Sequence, residues 1–109
     1  PLADNARKNA CQMLVDAVSD KIKDNTPAFC TGDFNATPDA PEIATTICQS
    51  GILKDSYREA AVQHGALFTF PSKKTRIDFI FVKHATVLST RTIVSSLSDH
   101  YPLVIVVEI

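Results

Sequence analysis

The sequence predicts a mixed α/β layer, and three observations carry that expectation. Near the start, Cys11, Leu14, Val18 and Ile22 recur at steps of three and four, the spacing of one helical stripe. A short apolar run, Ala28-Phe29-Cys30-Thr31, follows and has the length of a buried strand. The last third then holds three β-rich runs at residues 76–83, 86–94 and 101–108, joined by connections short enough for an antiparallel meander.

Taken in order, the first helix spans residues 4–24, with Asp4 or Asn5 to cap it and Asn25-Thr26-Pro27 to stop it. The strand after it ends at Gly32, and Asp33-Phe34-Asn35 opens a loop carrying polar side chains. Pro41 and Glu42 begin a second helix whose inner face is Ile43, Ile47 and Cys48, with Gly51 placed to end it. Residues 56–64 are expected to form a further short helix. Leu67-Phe68-Thr69-Phe70 has strand character and is closed by Pro71, and Ser72-Lys73-Lys74-Thr75 is a polar turn.

At 109 residues, with 45% hydrophobic and 21% charged side chains, the chain is a globular single domain. Eleven basic residues against twelve acidic ones give a net charge of -1, so no global field favours nucleic acid or anionic lipid. The apolar runs fall far short of the ~20 residues a membrane span needs, which predicts a soluble chain. Three widely spaced cysteines, Cys11, Cys30 and Cys48, fit neither a disulfide framework nor a paired-thiol metal site, and read as inert thiols. The chain starts at Pro1 with no leader, so it reads as an excised piece whose compartment is not encoded.

In a meander the first and third strands begin at one rim, which places Asp78 and Asp99 together. An earlier strand running antiparallel to them ends at Asp33 on the same rim, so that three carboxylates, Asn35 and His100 converge on one mouth. Crowded carboxylates repel, and a hard divalent cation such as Mg²⁺ or Mn²⁺ relieves the repulsion better than Zn²⁺ would with a single imidazole. Spacing alone leaves open that Asp33 and Asp99 only cap turns. Lys73, Lys74 and Arg76 form the one basic cluster, either meeting a substrate phosphate or forming a solvated turn. Phe34, Phe70, Phe79 and Phe81 read as core-facing strand positions, and His64 and His84 as surface residues.

Gly32-Asp33-Phe34-Asn35, Thr69-Phe70-Pro71, Arg76-Ile77-Asp78-Phe79-Ile80-Phe81-Val82 and Ser98-Asp99-His100-Tyr101-Pro102 together resemble the endonuclease/exonuclease/phosphatase superfamily, closest to its bacterial hydrolases. The resemblance implies an α+β layered sandwich, with residues 1–109 as the C-terminal half of a four-layer α/β/β/α fold with a mixed, mainly antiparallel sheet. It implies a divalent-metal-dependent phosphoesterase, acting as phosphodiesterase, nuclease or phosphatase by in-line attack of water. Asp33 then orients or deprotonates the water, Asn35 positions the phosphate, and His100 contacts it. Asp78 fixes the His100 tautomer, and Asp99 is the metal-site carboxylate for Mg²⁺ or Mn²⁺. Thr69 stands where the family's hydroxyl faces the substrate, a phosphate ester or nucleic acid, with a solvent-facing strand Thr as the alternative, and Arg76 of the basic cluster is the expected phosphate contact.

The family's first-half Asn, metal-binding Glu and first His have no counterpart here, so the isolated chain is expected to be catalytically crippled. The missing N-terminal half becomes an expected partner, with self-association through an uncovered sheet face as the substitute. No Trp precedes Arg76-Ile77-Asp78, as abasic-site nucleases would have, and no Cys-Asp-Arg signature of inositol phosphatases is present. The rival reading is a non-catalytic half-domain or interaction module that acts through assembly. An upstream Asn, Glu and His strand pattern separates the two.

Overall fold

A computed structural model describes residues 2–109. Helix α1 (Leu2–Lys21) leads to strand β1 (Ala28–Asp33). A π-helical segment, Glu42–Ile47, tightens into a 3₁₀ turn at Cys48–Ser50. There follow β2 (Lys54–Asp55), α2 (Ser56–Glu59), β3 (Val62–Gly65), β4 (Asp78–Lys83), β5 (Thr86–Thr92) and β6 (Leu103–Glu108). The expected mixed, mainly antiparallel strand set is present, divided between two three-stranded sheets with orders β1-β4-β2 and β3-β5-β6.

Cys11, Leu14 and Val18 of the α1 stripe face inward as their spacing predicts, while Ile22 falls just past the helix end at Lys21. Cys11 and Val15 are buried, with Leu14 and Val18 packed beside them, against Ile43, Ile47, Leu53, Phe79 and Phe81. That cluster joins α1 and the 42–50 segment to the first sheet, and Phe34 meets Phe79 and Phe81 edge-on at 5.7 and 5.0 Å. Helix α1 starts before its expected caps, so Asp4 lies in its first turn and pairs with Arg7. Gly51, at φ 74, supplies the left-handed residue that ends the second helical segment, as expected. Cys11, Cys30 and Cys48 are free, and burial pushes each thiol pKa upward, away from the reactive thiolate.

The expected helix over residues 56–64 is only its first turn. Asp55 caps α2 by accepting from the Tyr57 N–H at 3.1 Å, and Ala60 leaves the helical region at ψ 132. Val62–Gly65 then pairs parallel to β5, Val62 opposite Ser89 and Gly65 opposite Thr92. Gly65 has φ +85, and a Cβ there would sit 1.9 Å from the Thr92 carbonyl oxygen, so the close approach requires glycine.

The expected meander is also corrected. Strand β4 is flanked on both edges, by β1 and by β2, so β5 has no edge to join and pairs with β3 and β6 instead. Residues 67–70 form no strand beyond a Phe70–Thr75 bridge that closes the turn at Pro71–Lys74.

Candidate active site at the sheet rim

The register of the first sheet sets two acids side by side. β1 runs antiparallel to β4 with Asp33 opposite Asp78, so the end of one strand meets the start of the other. The second sheet supplies the imidazole, because His100 lies just before β6. Thr69 fastens the two together. Its hydroxyl oxygen accepts from the backbone N–H of Ile77 and of Asp78, both at 3.1 Å, and its carbonyl accepts from the Tyr101 N–H at 2.7 Å.

Asp33, Asp78 and His100 come together so that one ligand-capable atom of each lies within 4.8 Å of the others. His100 Nδ1 donates to Asp78 Oδ2 at 2.7 Å, which assigns the proton to Nδ1, and Nε2 stands 3.8 Å from Asp33 Oδ2. The hydrogen bond to Asp78 raises the His100 pKa above its ordinary value. Partial desolvation opposes the rise, and the charges of Asp78, Asp33 and Asp99 add to it. Asp33 Oδ1 accepts from the Asn35 N–H at 2.8 Å, which bends the chain into a left-handed Asn35 with φ 53 and leaves Asn35 exposed. Asp99 is exposed, and among the described residues its carboxylate accepts from the Ser98 hydroxyl alone, at 3.4 Å.

Two expected substrate contacts are elsewhere. Thr69 is fully buried and its oxygen is consumed by the backbone bonds above, so it cannot face a substrate. Arg76 makes a two-pronged ion pair with the buried Asp55, at 3.1 and 2.7 Å, and its guanidinium lies over the Tyr57 and Phe79 rings. Its side chain is 10% exposed, so its charge is spent inside the fold. Phe70, expected in the core, is half-buried instead, its ring 4.9 Å from the His100 ring. Lys73 and Lys74 are exposed in the turn beside it. The inward use of Thr69 and Arg76 left no sequence signal, since both have partners more than seven residues away.

The donor chemistry fits a hard divalent ion in part. Asp33 and Asp99 offer exposed carboxylates, the ligand type Mg²⁺ and Mn²⁺ prefer. Asp78 is less free to ligate, because one oxygen already holds His100. The set is short of the six oxygens such an ion takes.

An imidazole held between two carboxylates at the mouth of two sheets is suited to meet anionic oxygen. The chain belongs to the Endonuclease/Exonuclease/phosphatase family, whose model matches residues 1–100. An endonuclease/exonuclease/phosphatase of Bacteroides vulgatus is similar at TM-score 0.85 and 30% identity, over 96% of this chain and 44% of that one. A functionally unknown conserved protein of Enterococcus faecalis matches at TM-score 0.74 and 26% identity, over 96% of this chain and 45% of that one. A mannosyl-6-phosphatase of Bacteroides thetaiotaomicron shares the fold at TM-score 0.83 and 23% identity, over 96% of this chain and 46% of that one. The chain thus spans less than half the length of these solved relatives. No curated protein matches it.

Proposed function

We propose that the chain contributes the water-activating and phosphate-binding half of a divalent-metal-dependent phosphoesterase. The observation that carries the reading is the 2.7 Å Asp78–His100 pair beside Asp33 at one rim, on a chain of this family. Asp33 accepts the proton of the attacking water; its Oδ1 is steadied by the Asn35 N–H and Oδ2 is turned toward His100. Asp78 holds His100 with Nε2 outward, and the raised pKa keeps the ring cationic further toward neutral pH, where it attracts the phosphate oxygens. Asn35 offers its amide to the same oxygens. In this step the water oxygen bonds to phosphorus, the ester oxygen leaves with the electron pair, and Asp33 takes the water proton. A Mg²⁺ or Mn²⁺ ion, held by Asp99 with ligands from the rest of the domain, would supply charge neutralisation at the phosphate.

The test uses the full-length protein, a bis-aryl phosphodiester, an aryl phosphomonoester and a nucleic acid, each with Mg²⁺ and with chelator. Asp33→Asn and His100→Ala are each expected to lower kcat by roughly a hundredfold or more, the range of general-base and electrostatic groups. Thermal midpoints should move by only a few degrees, because both side chains sit at the rim. Activity that ignores the chelator overturns the metal assignment. Full activity in both variants favours the rival reading, a half-domain acting by assembly, which the exposed Val104 and Val106 of β6 support.

A further inference from the structure

A cavity of about 620 Å³ opens next to the rim, between α1, the loop after Asn35 and the turn at Pro71–Lys74. It shares Asn35 and Phe70 with the candidate site, and the Phe70 ring is 4.9 Å from His100. A phosphate on His100 and Asn35 therefore has this cavity beside it for the rest of the molecule, and the volume suits a ligand of sugar-phosphate size.

The charges on the wall are unevenly paired. Arg7 is occupied by Glu42, at 3.0 Å from Nε, and by Asp4. Lys8 on α1 and Lys73 in the turn both line the cavity, and neither enters an ion pair among the described residues. The lining thus carries three cations against two carboxylates, both already on Arg7. The rim itself is the reverse, with Asp33 and Asp78 on either side of one imidazole and Asp99 next to it in sequence. A second negative charge on the substrate is repelled by the rim and attracted by this wall.

We infer that the cavity is a specificity pocket for phosphate esters whose non-reacting part carries a second anionic group, held between Lys8 and Lys73 and packed on Phe70. The inference rests on the phosphoesterase reading and names its substrate class.

Glucitol 6-phosphate and 6-phosphogluconate are both open chains that share the reacting phosphate and differ at the far end only by a hydroxymethyl group in place of a carboxylate, so they isolate the second charge. In the full-length protein kcat/KM should favour 6-phosphogluconate by roughly tenfold, two partly exposed charge contacts together. Lys8→Ala combined with Lys73→Ala should bring the ratio toward one, 0.5 M salt should shrink it, and Lys83→Ala, at the far end of β4, should leave it in place. Calorimetric affinities of the same pair for Asp33→Asn protein provide a readout that needs no turnover. Equal efficiency and equal affinity for the two compounds overturn the pocket, as does a preference that survives the double substitution. A preference in affinity without hydrolysis of either compound supports the pocket and overturns the phosphoesterase reading alone.

Discussion

The two sheets are built differently. In the first, β4 is central, and its Phe79 and Phe81 are at most 2% exposed beneath α1 and the 42–50 segment. In the second, no residue of β3, β5 or β6 joins that cluster, and Leu88, Val104 and Val106 are 42 to 52% exposed. The first sheet has its own core; the second, in this chain, has half of one. The candidate site straddles the division, with Asp33 and Asp78 on the first sheet and His100 at the entrance to the second. The rim geometry therefore depends on what joins the sheets, and Thr69 is the join.

The largest effect should come from breaking the cored sheet. Phe81→Ala is expected to cost about 3–5 kcal/mol in urea unfolding, the range for emptying a packed aromatic site. Val106→Ala, at 52% exposure, should cost under ~1 kcal/mol in the same chain. Comparable losses would mean the second sheet has a core of its own.

Thr69→Val tests the join. It leaves the Ile77 and Asp78 N–H groups without their acceptor, at a cost of about 2 kcal/mol, and should loosen the Asp78–His100 pair. Thr69→Ser keeps the oxygen and should restore both stability and pairing, read from urea unfolding and from the His100 imidazole shifts. A valine variant with wild-type shifts would show that the sheets hold together without this bond.

The smallest effect is electrostatic. NMR titration should place the His100 pKa above the ordinary 6.5, and Asp78→Asn should lower it. Because the folded-state pKa is raised, the protonated pair stabilises the fold fully below the unfolded value. That contribution fades as pH rises through the folded value. An unshifted His100, or one indifferent to Asp78→Asn, would break the pair assignment.

Local signals carried most of what was legible in the sequence. The α1 stripe, the run before Gly32 and the β-rich end were readable because burial on one face imposes a period that needs no knowledge of partners. Asp33 and Asp78 were readable as neighbours because antiparallel strands bring the end of one beside the start of the other, whereas His100 reaches them from the second sheet and not along the expected meander. Val62–Gly65 was missed because four exposed residues carry no period, and their parallel pairing with β5 is decided by Gly65 meeting Thr92.

By itself, then, the sequence determined the elements with a buried face, the family motifs and the residues gathered at the rim. The tertiary structure alone decided that β4 and β5 part into separate sheets, since an edge taken by β2 is visible only once the sheet is assembled. It also decided that Thr69 and Arg76 serve the fold. A threonine hydroxyl and a guanidinium look the same in sequence whether they face a substrate or a buried partner, and burial against Ile77, Asp78 and Asp55 turned both inward, where an unpaired polar group would be costly.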